Sequence, residues 1–237
     1  MRSALVIFPG SNCDNDVANA IADMGMGPVD LVWHDEKDFP SPPDLVMVPG
    51  GFSYGDYLRP GALAAKSPLM SAVREHAERG GLVAGICNGF QILTEARLLP
   101  GALLPNRNLR FICGKSCVRV ERNDTPFTCK FAKGEIAQFP IAHHEGLFFL
   151  PPGELEKIEK ENRVIFRYAD PLTGEAGEEH APNGALNGIA GIVSERGNVL
   201  GIMPHPERAT LRGVIGGTDG RKFWESIMSW AENAGCR

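Results

Sequence analysis

Apolar positions along the first hundred residues switch repeatedly between a strand pattern and a helix pattern. Ser3 to Phe8 (SALVIF) is a short apolar run closed by Pro9-Gly10, as expected of a strand buried on both faces. Val17, Ala20, Ile21 and Met24 then recur at helical spacing, and Gly25 and Gly27 stop that helix. Val29 to Trp33 and Asp44 to Val48 (DLVMV) are the next two strands, the second ended by Pro49-Gly50-Gly51. Ser67-Pro68 supplies a cap and a first-turn proline for a helix whose inward stripe is Leu69, Ala72, Val73, His76 and Ala77, with Gly80 as its stop. Leu82 to Ile86 (LVAGI) is the fourth strand and runs directly into Cys87-Asn88-Gly89 and a helix through Arg97. Such alternation predicts a parallel sheet with helices on both faces and right-handed crossovers.

Beyond Pro100 the pattern turns to strands: Arg110 to Val120, Glu135 to Ala142, Val164 to Tyr168, Gly188 to Val193 and Asn198 to Met203. The turn at Arg196-Gly197 joins the last two as a hairpin. A final helix is expected over Asp219 to Glu232, with Phe223, Ile227, Trp230 and Ala231 inward, and the glycine- and acid-rich stretch 169 to 188 as an exposed loop. With neither a repeat nor a linker, the expectation is a single elaborated α/β domain over residues 1–237.

Composition narrows the function. The 237 residues are 43% hydrophobic and 22% charged, within the ordinary globular range. Lys plus Arg number 24 against 29 Asp plus Glu, a net charge of -5 with no long run of one sign, which argues against a nucleic-acid-binding footprint. The uncharged stretch Gly80 to Thr94 is too short and too polar to cross a membrane. The apolar run after Arg2 ends at Pro9-Gly10, too early for a signal-peptide core, so a cytoplasmic protein is expected. Six cysteines, at positions 13, 87, 113, 117, 129 and 236, are too thinly spread for a disulfide scaffold and are expected as reduced thiols.

One constellation carries chemistry. Gly85-Ile86-Cys87-Asn88-Gly89 stands where a strand turns into a helix, the setting of a nucleophile elbow with Cys in the place of Ser. The free N-terminus of that helix is expected to lower the thiol pKa toward the thiolate. The amide of Asn88 is a candidate oxyanion donor, and Gly50-Gly51 a candidate second one, because glycine can turn its amide toward a substrate. A nucleophile needs a base and an orienter, and Met203-Pro204-His205-Pro206-Glu207 supplies both. Pro206 favours an extended His205, and residues two apart in an extended segment project to one side, which would let Glu207 hold the imidazole for Cys87.

Other signals are weaker. Cys113, Cys117, Cys129, His143 and His144 match no paired C-x-x-C zinc spacing, and strand alternation explains Cys113 and Cys117 equally well, so no metal site is expected. Pro9-Gly10-Ser11-Asn12 lacks the Lys of a phosphate loop and reads as a strand-to-helix turn near the active edge of the sheet.

Through Gly85-x-Cys87-x-Gly89-x-Gln91 and the distant His205-x-Glu207, the chain resembles the class I (triad-type) glutamine amidotransferases. Within that class it is similar to the glutaminase subunits of phosphoribosylformylglycinamidine synthase. The resemblance is carried by Phe8 to Asp14 (FPGSNCD), Pro49 to Arg59 (PGGFSYGDYLR), Gly85 to Gln91, Pro140 to Gly146 (PIAHHEG) and Met203 to Arg208 (MPHPER). It implies one type-1 glutamine amidotransferase domain, a flavodoxin-like three-layer α/β sandwich around a mostly parallel sheet with a late β-rich elaboration. It further implies that L-glutamine is hydrolysed through a glutamyl thioester on Cys87, with His205 as base, Glu207 as orienter and Gly51 and Asn88 as oxyanion hole. Gln91, Asn108, His143, Glu145 and Gly146 would help hold the glutamine, and His144 stands where many relatives are expected to carry Gly.

The implied partner is a separate synthetase large subunit that takes the ammonia in a purine-biosynthetic step, together with a small third subunit. The chain itself has no ATP-grasp or P-loop signature, so no cofactor is expected in it, and ATP and magnesium fall to that partner. Two rival readings share these residues: a γ-glutamyl hydrolase or Cys peptidase on the same scaffold, against which Gly50 to Arg59 argues, and a non-catalytic regulatory subunit, against which the intact Cys87, His205 and Glu207 argue.

Overall fold

The apolar runs that end at Pro-Gly or Gly become the central strands. The computed structural model of the chain describes residues 1–210 and 217–234, which places Cys236 outside the described residues. In chain order the elements are β1 (Ser3–Ile7), α1 (Asp14–Asp23), β2 (Val29–Trp33), β3 (Leu45–Val48), α2 (Leu69–Glu78), β4 (Leu82–Ile86) and α3 (Asn88–Glu95). They continue as β5 (Ala102–Leu104), β6 (Ile112–Val120), β7 (Ile136–His143), β8 (Leu147–Phe149), α4 (Pro152–Lys160), β9 (Val164–Tyr168), β10 (Ile189–Val193), β11 (Val199–Ile202) and α5 (Gly220–Ala234).

Nine strands form one sheet in the order β2-β1-β3-β4-β11-β10-β9-β6-β7, and β5 and β8 pair separately. Neighbours from β2 to β11 run parallel, and from β11 to β7 antiparallel. The β-rich elaboration is therefore a continuation of the same sheet, which is mixed. Its parallel half brings the carboxyl ends of β1, β3, β4 and β11 to one edge, with the order reversing at β1, where crevices open in α/β folds. No helix among the described residues is long and apolar enough to cross a membrane.

Burial explains which elements were legible. β3, β4, β10 and β11 are buried along their whole length. Along β6 the inward positions alternate with outward ones, and Cys113 and Cys117 share the outward side. Phe166 of β9 is met edge-on by Phe131 and Phe139, and Trp224 stands edge-on to Phe223, which stacks on Phe127.

Several expectations need correction. Trp230 faces outward at 37% exposure, and it is Trp224 that the last helix buries completely. The nucleophile helix stops at Glu95, because Arg97 takes a left-handed φ of 57°. Ser67 makes no side-chain cap to α2; its Oγ lies 3.2 Å from the Tyr54 hydroxyl instead. The stretch 169 to 188 is exposed at Pro171 to Thr173 but buried at Asn183 to Ala185. α4 gave no apolar stripe to read, since Ile158 is its one buried residue.

A side chain on Gly89 would begin on top of the Val48 carbonyl oxygen, with the Pro49 oxygen 3.3 Å away. Helix propensity alone would favour Ala there by about 1 kcal/mol. Because both obstacles are backbone, Gly89→Ala is expected instead to destabilise by about 2 kcal/mol or more, read as a lower urea midpoint.

Candidate active site

Between β4 and α3 the chain turns through Cys87 with φ 53° and ψ -107°, a left-handed conformation that costs an L-residue about 1–3 kcal/mol. Its surroundings hold it there. The Cys87 N-H donates to the Ile202 carbonyl at 2.7 Å, and its own carbonyl accepts from Phe90 and Gln91 at 2.9 and 3.2 Å. A Cβ on Gly85 would lie 2.6 Å from the Gly89 carbonyl oxygen and from Leu93 Cδ1, so the turn is as tight as its glycine frame suggests.

The same edge receives His205. β11 runs beside β4 with Ile202 level with Ile86, and three residues on the His205 N-H is tied to the Pro140 carbonyl at 2.8 Å. His205 Nδ1 lies 2.6 Å from Glu207 Oε1, with the two residues 1% and 2% exposed. A carboxylate only accepts, so Nδ1 donates the proton of this bond. Among the described residues Nε2 has no hydrogen-bond partner, and neither has Glu207 Oε2. The pairing does not come from an extended segment: Pro206 to Arg208 form one turn of 3-10 helix, and that turn folds Glu207 back onto the imidazole.

Burial overrides the helix end at the thiol. Cys87 is 5% exposed, and this enclosure pushes its pKa up, with Cys13 and Glu207 adding to the effect and the Asn88 amide opposing it. The thiol is therefore neutral, and its S-H donates to the Ala142 carbonyl at 3.7 Å. The expected ready thiolate is thus replaced by a neutral thiol.

Gly51 occupies φ 143°, and a side chain there would meet Gly10 O and Asn12 N at 2.8 Å. Ser11 bridges to Gly51, so the Pro9-to-Asn12 turn serves as the backing of the Gly51 loop. Asn88 heads α3 with its side chain buried. Asn88 Oδ1 accepts from the Ser53 amide at 3.1 Å, its Nδ2 donates to Gln91 Oε1 at 2.8 Å, and Gln91 Nε2 donates to the Glu145 carbonyl at 2.7 Å.

In that relay the buried Gln91 amide is held by protein at both ends and braces α3 against the Glu145 loop. Asn108 is exposed and its Oδ1 accepts from the Arg110 amide. The organising residue is Asn106, fully buried, which donates to the carbonyls of Arg110 and His143 and accepts from Gly146 N and His143 Nδ1. Gly146 likewise has its backbone engaged, its carbonyl accepting from Asn183 at 2.8 Å, while the His143 ring fills the space where a side chain would stand. Asn106, Asn183 and Tyr168, which is hydrogen-bonded to Asn183, were missed because only tertiary contact gives them a task.

His143 is buried with Nε2 unpartnered, and Glu145 sits at the mouth with its Oε1 2.5 Å from His144 Nδ1. His144 is absent from the positions of positive φ, so a side chain is carried there without strain. Nearby Asp56 is pushed up to about 6 by burial and by the Glu145 carboxylate. The zinc candidates are scattered: Cys113 is exposed, Cys129 donates to Ser226 O, and His143 is taken by Asn106.

Residues 1–227 match the model of the CobB/CobQ-like glutamine amidotransferase domain. The chain belongs to this family. Its relatives include the phosphoribosylformylglycinamidine synthase subunit PurQ of Thermus thermophilus, 58% identical over 96% of this chain and 98% of that one. The PurQ subunit of Gloeobacter violaceus is 51% identical over 98% of each chain. Among solved structures, a chain of PurLQS from Thermotoga maritima superposes with a TM-score of 0.80 at 43% identity, over 97% of this chain and 98% of that one. The chain is thus a glutamine amidotransferase of the PurQ type.

His143 supplies a pH test. Burial, and then the nearby His205, lower its pKa from 6.5 to about 4. Between those values the unfolded chain takes up the proton and the folded one does not, so stability falls as pH drops from 6.5 toward 4, by up to about 3 kcal/mol from this group. His143→Asn should flatten that part of the profile, measured as urea unfolding free energy at pH 7 and pH 4.5.

Proposed function

We propose that residues 1–237 form one glutaminase domain that hydrolyses L-glutamine through a glutamyl thioester on Cys87. The ammonia then passes to a separate synthetase subunit, which with a small third subunit uses ATP and magnesium to make phosphoribosylformylglycinamidine in the cytoplasm. The observation that carries the reading is the buried His205–Glu207 pair, whose Nε2 is unpartnered among the described residues at the strand edge that presents Cys87.

The neutral thiol sets the order of events. His205 Nε2 takes the proton from Sγ as sulfur attacks the side-chain amide carbon, and Glu207 stabilises the imidazolium that forms. The oxyanion falls to the amides of Gly51 and Asn88. Collapse returns the proton to the leaving nitrogen and frees ammonia. Water, deprotonated by the same imidazole, then attacks the thioester, releases glutamate and restores the thiol. Coupling proton transfer to attack keeps the sulfur uncharged until the carbonyl is in place.

The test is peptide mass spectrometry after exposure to a diazo-ketone analogue of glutamine, alone and with the synthetase. One adduct on Cys87, absent in Cys87→Ala, is the expected result, with glutaminase activity of that variant down by ~10³-fold or more. No adduct in either state would sink the thioester reading of Cys87.

A further inference from the structure

The proposed chemistry leaves one cluster beside the site without a task. Arg208 follows Glu207 on the turn that carries the base, and its N-H closes that turn on the His205 carbonyl at 3.2 Å. Its guanidinium is drawn into the molecule, with 18% of the side chain exposed. There Nε donates to Asp16 Oδ2 at 2.8 Å and Nη2 donates to Cys13 Sγ at 3.0 Å. Both partners stand at the start of α1, so the turn bearing His205 is pinned to a second element. Cys13 is in turn tied by its N-H to the Gly50 carbonyl at 3.3 Å. Cys13 Sγ and His205 Cε1 each lie 3.0 Å from the point where a side chain on Gly50 would begin. The edge of the imidazole thus rests near the sulfur that Arg208 grips.

Stability alone is a poor reason for this arrangement. A guanidinium is desolvated in exchange for one carboxylate and one thiol, and sulfur is a weak acceptor. We propose that Arg208 is a positioning residue for the Cys87–His205 pair: a fixed cation, clamped by Asp16 and Cys13, that seats the base and balances the Glu207 carboxylate beside a sulfur that must give up its proton.

The charges around Cys87 agree with this role. Facing it or its partner base are Cys13 from α1, His143 from β7, Tyr168 from β9, and His205, Glu207 and Arg208 from the turn after β11. Glu207 and Cys13 oppose a thiolate at Cys87, and Arg208 favours one. Asp16 and Asp14 act on Cys13, behind the clamp. A Lys would keep the charge but lose the fork that reaches both partners.

The inference rests on Cys87 being the nucleophile, and the experiment separates the two. The rate of Cys87 alkylation by iodoacetamide, read by peptide mass spectrometry, is followed from roughly pH 6 to 10 in wild type, Arg208→Met, Arg208→Lys and Asp16→Asn. Arg208→Met should move the profile to higher pH, with about tenfold slower alkylation near neutrality, and Arg208→Lys should recover part of the loss. A folded Arg208→Met with the wild-type profile overturns the inference. Should that variant not fold, Asp16→Asn, which keeps the cation and frees it from its clamp, must shift the profile in the same direction, and an unchanged profile overturns the inference equally. Wild-type Cys87 that resists iodoacetamide throughout but is labelled by the diazo-ketone analogue overturns this inference alone, and resistance to both reagents overturns the nucleophile reading with it.

Discussion

Between β4 and α3 the backbone passes through a left-handed cysteine, and the surrounding parts of the fold act to keep it there. The strand is buried on every side, so it cannot shift; the helix that follows rests on β3, β4 and β11. Gly85 and Gly89 let strand and helix approach until their backbones touch, and no other residue would fit. The strain of one residue is thereby spread over the packing of four elements. What the molecule gains is placement: the sulfur stands at the carboxyl edge of the sheet, where β1, β3 and β11 deliver Cys13, Gly51 and His205.

Enclosure then decides the electrostatics. A helix N-terminus and a base would activate an exposed thiol, but this sulfur is sealed against the Ala142 carbonyl, and burial favours the uncharged form. The imidazole faces the same medium, held in one tautomer by a carboxylate that is itself almost wholly buried. A site built this way is quiet at rest. In the proposed reaction charge separates only when an acyl group arrives to accept electrons from sulfur.

The parallel half of the fold was legible because each strand is a continuous apolar run with a Pro-Gly or Gly stop, and the His205–Glu207 pair because both sit in one short, chemically distinctive context. Legibility failed where a residue's role depends on what the chain brings to it. Asn108 and Asn106 look alike in the sequence, and only the fold sets Asn106 among four backbone and side-chain partners while Asn108 faces water. Trp224 and Trp230 lie on one helix, and a small rotation of its buried stripe exchanges which is covered. The sign of the thiol's pKa change failed for the same reason, since the helix end is local and desolvation is a property of the whole enclosure.

Ser53, Asn88, Gln91 and Glu145 form an unbroken file of hydrogen bonds across three segments remote in sequence. Each amide in the file points its oxygen back and its nitrogen forward, so reversing one would set oxygen against oxygen at one end and nitrogen against nitrogen at the other. The file therefore has a polarity, and its members must adopt it together. The Ser53 loop and the Glu145 loop are registered to each other through that shared direction, and a disturbance at either is felt as a mismatch at its opposite end.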